Sequence, residues 1–209
     1  MIKKLCLIAC MLVWSGKVLA AVGCDLNDPD RDVKRFFPNS SGYKTEYVSI
    51  EKSGGEQLYK KIEQQLGDDF NGIYEKIDVP YTVYTILQNT KTIGYIHGVN
   101  QKGKFGGIQV FLVLDTKGNI LNLYFQKFTS KQADKLRSTE FGKQFIGLNS
   151  SDFTDYDVKT HSFAEKSRLT QIKNPVPTET EDFYATLRGV KKNLILMDNF
   201  VFKRGDVLK

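Results

Sequence analysis

Apolar positions alternate with polar ones, or run on almost unbroken, through the middle of the chain and step by three and four at its end. Four stretches read as consecutive antiparallel strands: Tyr81 to Leu87, Thr92 to Val99, Ile108 to Leu114 and Ile120 to Phe128. Gln88 to Thr90 turns the first pair. Gly103-Lys104-Phe105-Gly106-Gly107 turns the second, and Asp115-Thr116-Lys117-Gly118-Asn119 the third. Upstream, Asp28-Pro29-Asp30 starts a short helix ending at Phe37-Pro38, and Tyr43 to Ile50 alternates as a strand. Gly54-Gly55 then opens a helix with Leu58, Ile62 and Leu66 on one face and Gly67 as its stop. Lys131 to Arg137 and Glu140 to Ile146 read as short helices, and residues 149 to 177 as irregular.

The strongest helix closes the chain. Phe183, Leu187, Val190, Leu194, Met197 and Val201 form a seam that must lie on the sheet. Thr178-x-x-Glu181, directly after Pro177, has the form of a capping box and predicts a start near residue 179. Arg188, Lys191 and Lys192 then fall on a solvated face, with Arg188 able to reach a phosphate. The whole predicts an α+β fold, an antiparallel β-meander packed by a long C-terminal helix and smaller helices.

The 209 residues divide into residues 1–20, a secretory signal, and one domain over 21–209, with 21–80 as an N-terminal helical and strand extension. Lys3 and Lys4 precede the apolar run Leu5 to Trp14, and Val18-Leu19-Ala20 supplies small residues for cleavage. The run is shorter than the roughly 20 residues a membrane span needs. The signal holds Lys3, Lys4 and Lys17 and no acid, so the chain's 30 basic and 24 acidic residues become 27 and 24, a net charge of +3. That surplus is too small and too scattered for a nucleic-acid binder.

Cys6 and Cys10 leave with the signal, and Cys24 remains as the single mature cysteine, without an internal disulfide partner. Ala21-Val22-Gly23-Cys24 loosely resembles a lipobox, in which case cleavage falls after residue 23 and a lipidated Cys24 tethers the domain to a membrane surface. Plain cleavage after Ala20 is the alternative. Both place the protein in the periplasm or another extracytoplasmic space.

Chemistry is sparse in the sequence. His97 and His161 are the only histidines, and no HExxH, CxxC or GxSxG motif occurs, so neither a zinc or haem site nor an independent hydrolase is supported. His97, inside a strand, reads as a hydrogen-bonded structural residue. The glycine cluster reads first as a turn between strands, and second as a place where backbone can approach a ligand, with Lys104 for charge and Phe105 for stacking.

The ordered pieces Phe37-Pro38, Tyr81-Thr82-Val83-Tyr84, Ile93-Gly94-Tyr95, Gly103-x-x-Gly106-Gly107-Ile108, Asp115-x-x-Gly118-Asn119-Ile120 and Phe141-x-x-Gln144-Phe145-Ile146-Gly147 resemble the FMN-binding domain family. That family includes the periplasmic flavin subunits of sodium-pumping NADH:quinone oxidoreductase and Rnf-type complexes. The resemblance spans roughly residues 36 to 200 and implies a half-barrel sheet beside which FMN sits, in an electron-transfer module serving a membrane-bound redox complex. It assigns Lys104, Phe105, Gly106 and Gly107 to the cofactor's surroundings. Thr129 and Ser130 are implied as phosphate donors, with Lys127 or Lys131 as counter-charge and Arg188 in reach. Tyr95, Phe105 and Tyr124 are implied as aromatic flanks of the flavin ring.

Two departures stand against it. The family's Glu-Thr-Pro-Gly loop is replaced by Lys127-Phe128-Thr129-Ser130-Lys131, and its Ser-Gly-Ala-Thr attachment motif by Phe183-Tyr184-Ala185-Thr186. Thr186 is the position matching the covalent anchor, yet it falls inside the predicted helix. Non-covalent FMN is therefore the leading expectation. A cofactor-free binding or accessory module that keeps the fold is the alternative.

Overall fold

In the computed structural model, residues 23–70 and 73–204 are described; the expected signal at 1–20 lies outside them. Strands β1 (Gly42–Val48), β2 (Tyr81–Gln88), β3 (Lys91–Lys102), β4 (Gly107–Leu114) and β5 (Ile120–Phe128) form one open antiparallel sheet in sequence order. The α+β meander follows from the sequence, with β1 as a fifth strand. The described part of the expected N-terminal extension is tied to the meander by β1, which pairs with β2 from Gly42↔Leu87 to Val48↔Tyr81. Ile50, Ile62, Leu66 and Phe70 lie in the main core.

Strand alternation divides the buried residues between two faces. Val83, Val99, Val110 and Leu112 point to the front, where helix α5 (Glu181–Met197) crosses the sheet and lays Phe183, Leu187, Val190, Leu194 and Met197 against it. Helix α2 (Ile50–Leu66) packs on the same side, broken at Gly54 and Gly55 and regular beyond them. Tyr84, Ile86, Ile96, Phe111 and Val113 point to the back and are covered by Cys24, Leu26 and helix α1 (Pro29–Phe36). Short helices α3 (Ala133–Leu136) and α4 (Thr139–Lys143) follow β5. The segment expected to be irregular folds into 3₁₀ turns at Ser150–Phe153 and Arg168–Gln171.

Helix α5 departs from expectation in two ways. Its N-cap is Thr180, with no side-chain cap bond, so the Thr178–Glu181 capping box does not form. Glu181, the acid of that box, lies 3.7 Å from Lys104 Nζ, while Glu179 binds the same ammonium at 2.7 Å and its Oε1 accepts from the Glu181 amide; the helix starts at residue 181. The expected solvated face is the second departure. Lys191 and Lys192 are buried, because the 3₁₀ region and the segment around Glu75 close over the helix on the sides the sheet leaves open. Past Met197 the helix widens into a π turn, Asp198–Phe202.

Candidate functional site

The glycine cluster is a hairpin turn. Lys102 and Gly107 are the last paired residues of β3 and β4, and the Gly103 amide donates to Gly106 O at 2.8 Å. The glycines are required by crowding and by backbone shape. A Cβ on Gly103 would sit 2.7 Å from Asp182 Oδ1, and Gly106 has φ +148 with Thr129 packed against its Cα. The turn is pinned to the start of α5: Asp182, fully buried, accepts from the Lys104 amide at 2.8 Å. Glu179 and Glu181 flank the Lys104 ammonium, and the hydrogen bond to Glu179 raises its pKa.

Beside this turn opens a cleft of about 740 Å³ between the hairpin, α5 and the segment around Asp68 to Glu75. Asp68, Tyr74, Glu75, Gln101, Lys104 and Arg188 line it. Its inner wall is an ion network that no sequence motif announced. Arg188 Nε donates to Asp68 Oδ2 at 2.9 Å. Its Nη1 donates to Glu75 Oε1 at 2.6 Å and Gln101 Oε1 at 3.0 Å, and its Nη2 to Glu75 Oε2 and Asp69 O, both at 3.1 Å. These bonds occupy all five N–H groups a guanidinium possesses. From below, Lys192 Nζ donates to Glu75 Oε1 and to Asn100 O.

The electrostatics follow from this geometry. Burial pushes the Glu75 carboxyl upward, but Lys192 and Arg188 outweigh it and hold the pKa below the usual range. Burial also opposes the Arg188 charge, and the Glu75 and Asp68 carboxylates more than restore it. Lys192 is different: full burial dominates and drives its pKa down to about 8 despite Glu75. Glu75 is thus held between two cations, Lys192 and Arg188, and Arg188 adds a two-bond fork that an ammonium cannot make.

The residues that resemblance assigns to FMN are partly assembled. Lys104, Phe105, Gly106, Gly107 and Thr129 meet at one corner, and Ser130 follows in the chain with its hydroxyl accepting from the Gln132 amide at 3.2 Å. Thr129 N donates to Gly107 O at 3.4 Å, and both Lys104 and Lys131 approach the Phe105 ring, their Nζ atoms 5.5 and 5.8 Å from its centre. Phe105 is 43% exposed at the hairpin tip. The other aromatic flanks lie elsewhere. Tyr95 packs edge-on against Phe202 at 5.4 Å, while Tyr124 stacks on Phe111 at 5.3 Å on the back of the sheet. Strand alternation put them on opposite faces, so they cannot sandwich one ring.

Thr186 is not brought to the cleft. It is fully buried within α5, and its Oγ1 donates to Asp182 O at 2.9 Å, one helical turn back. A phosphoester there would need that hydroxyl turned out of the core. The residues thus do not fit a covalently attached FMN, nor a phosphate held by Arg188.

Cys24 is 2% exposed, in the back-face cluster beside Leu26 and Tyr84, and burial raises its thiol pKa strongly. A lipid thioether at this sulfur would have to displace that packing. His97 is fully buried, its Nδ1 2.8 Å from Asn193 Oδ1, while Asn193 Nδ2 donates to His97 O and Val110 O. Among the described residues no cluster of His, Cys, Asp or Glu could hold a metal, and no helix is long and apolar enough to cross a membrane.

Glu75, Asp68 and Gln101 were missed, and Lys192 was placed on a solvated face, because their roles depend on α5 crossing the sheet. One hint existed: Lys191 and Lys192 lie between Val190 and Leu194, two positions of the helix seam expected to be buried. No protein-family model matches the chain, and no significant sequence match to a curated protein was found.

Proposed function

We propose that this chain is an exported binding or accessory module, built on a flavin-domain-like α+β frame but holding no covalent flavin. Its cleft beside the glycine turn takes a small polar ligand reversibly. The reading rests on the saturation of Arg188: every donor that could have clasped a phosphate is spent on Asp68, Glu75, Gln101 and the Asp69 carbonyl. Prising one free would strand Glu75, a 6% exposed carboxylate, with Lys192 as its remaining cation. The network therefore serves as a rigid wall, and recognition falls to the rim side chains of Lys102 and Tyr74, beside Lys104, whose ammonium is shared with Glu179.

A second reading, non-covalent FMN in an electron-transfer module beside a membrane-bound redox complex, is favoured by the corner where Gly106, Thr129, Lys104 and Phe105 meet, with Ser130 next in the chain. Flavin, if bound there, would supply the redox chemistry, while Thr129, Ser130 and Lys131 would hold its phosphate. Titrating FMN with the purified protein and following flavin fluorescence separates the two. The first reading expects a colourless protein and no saturable change. Stoichiometric quenching that disappears in a Thr129→Ala/Ser130→Ala variant would replace it with the second.

A further inference from the structure

Strand β1 ends the sheet, and no strand among the described residues pairs with its outer edge. Sheet edges in folded proteins are commonly blunted by proline, a bulge, brevity or charged side chains, and only the last of these is present here, as Lys44 and Glu46. β1 has seven residues, GYKTEYV, without proline, and its register with β2 runs unbroken. Lys44, Thr45, Glu46 and Tyr47 are all exposed, and Tyr47, at 69%, is the most exposed large apolar side chain among the described residues. Opposite partners in the ladder fix their directions. Lys44 and Glu46 stand over Thr85 and Val83 on the front face, while Tyr43, Thr45 and Tyr47 stand over Ile86, Tyr84 and Thr82 on the back.

We propose that this edge joins a second copy of the chain, β1 against β1, antiparallel and centred on Thr45. The sequence is self-complementary about that residue. The two-fold axis sets each Lys44 opposite the other copy's Glu46, giving two ion pairs on the front. On the back it sets each Tyr43 opposite the other copy's Tyr47, giving two aromatic pairs that cover the exposed ring. Neighbouring registers lose this. Centring on Lys44 or on Glu46 puts like charges face to face, and a parallel in-register pairing does so at both positions. Among the described residues neither Lys44 nor Glu46 has an ion-pair partner within its own chain, so both are available across the axis. The two five-stranded sheets become one continuous ten-stranded sheet, with the clefts at Arg188 left open on the front.

Sedimentation velocity on the purified protein over a wide concentration range tests the assembly. A dimer is expected, weakened by roughly tenfold or more in Lys44→Glu, where two attractions become two repulsions. The exchange Lys44→Glu/Glu46→Lys should restore it, which a merely damaged strand could not do. Thr45→Cys should cross-link under mild oxidation, since residues directly opposite in a ladder have Cβ atoms about 4.5–5.5 Å apart. Lys44→Cys should not, because the two copies of residue 44 are diagonal, about 7–8 Å apart. A wild-type monomer at every concentration overturns the proposal and leaves the edge to a different chain. A dimer indifferent to Lys44→Glu and uncross-linked by Thr45→Cys overturns it equally.

Discussion

Arg188 grips Glu75 through two parallel hydrogen bonds, Nη1 to Oε1 at 2.6 Å and Nη2 to Oε2 at 3.1 Å, and so ties α5 to the segment that leads into β2. The pair is nearly enclosed, with side chains 14% and 8% exposed. Removing one member of such a pair strands the other. Arg188→Ala should therefore lower unfolding stability by about 3 kcal/mol in urea titration. Arg188→Lys should recover only part, because one ammonium cannot reach Asp68, Gln101 and both Glu75 oxygens together. If Arg188→Ala left stability untouched but abolished ligand binding, the network would be a recognition device and not a wall.

Thr186 offers a separate test of the flavin question. Its hydroxyl is spent on the Asp182 carbonyl inside a buried helix face. Thr186→Val should cost about 1 kcal/mol, the net worth of one hydrogen bond. The denatured chain should carry no flavin fluorescence in either form. Fluorescence that stays with the wild-type chain on a denaturing gel and vanishes in Thr186→Val would establish covalent attachment and overturn the reading given above.

Stability should fall with acid because of His97. Burial pushes its pKa down from 6.5 to about 4, so the native ring stays neutral where the unfolded ring takes up a proton. Between those values the unfolded state binds more protons, and stability rises with pH across that window and falls as pH drops through it. The full shift corresponds to about 3 kcal/mol at 1.36 kcal/mol per unit. Glu75, held low by its cations, adds a further loss at still lower pH. Unfolding free energy measured from pH 7 to pH 4 should decline less steeply in His97→Gln, which keeps a hydrogen-bonding side chain toward Asn193. An unchanged slope would mean that His97 protonates freely in the native state.

Cys24 separates two fates of the N-terminal region. With the thiol buried and its pKa raised, a thiol reagent should react slowly with the native protein and stoichiometrically once urea exposes the sulfur. A sulfur still blocked in urea, with added acyl mass on the peptide containing residue 24, would show lipidation. It would also show that the back-face packing around Leu26 and Tyr84 rearranges to allow it.

The sequence by itself determined the strands, the order of the hairpins and the seam of α5, because each depends on a local period: two for a half-buried strand, three and four for a helix face. Turns were legible too, since Gly118 at φ +78 and the crowded Gly103 are positions only certain residues tolerate. The site was legible only in part. Gly106 and Lys104 could be marked because a glycine cluster between strands is visible without a fold. Only the tertiary structure decided what Arg188 and Lys192 do. A basic residue on a helix looks solvated until the helix is laid in a groove, and Glu75, more than 110 residues away in sequence, becomes its neighbour. The capping box failed for the same reason: its acid, Glu181, faces Lys104 of the distant β3–β4 turn at 3.7 Å. Periodicity is a property of neighbours along the chain, whereas charge pairing is settled by neighbours in space.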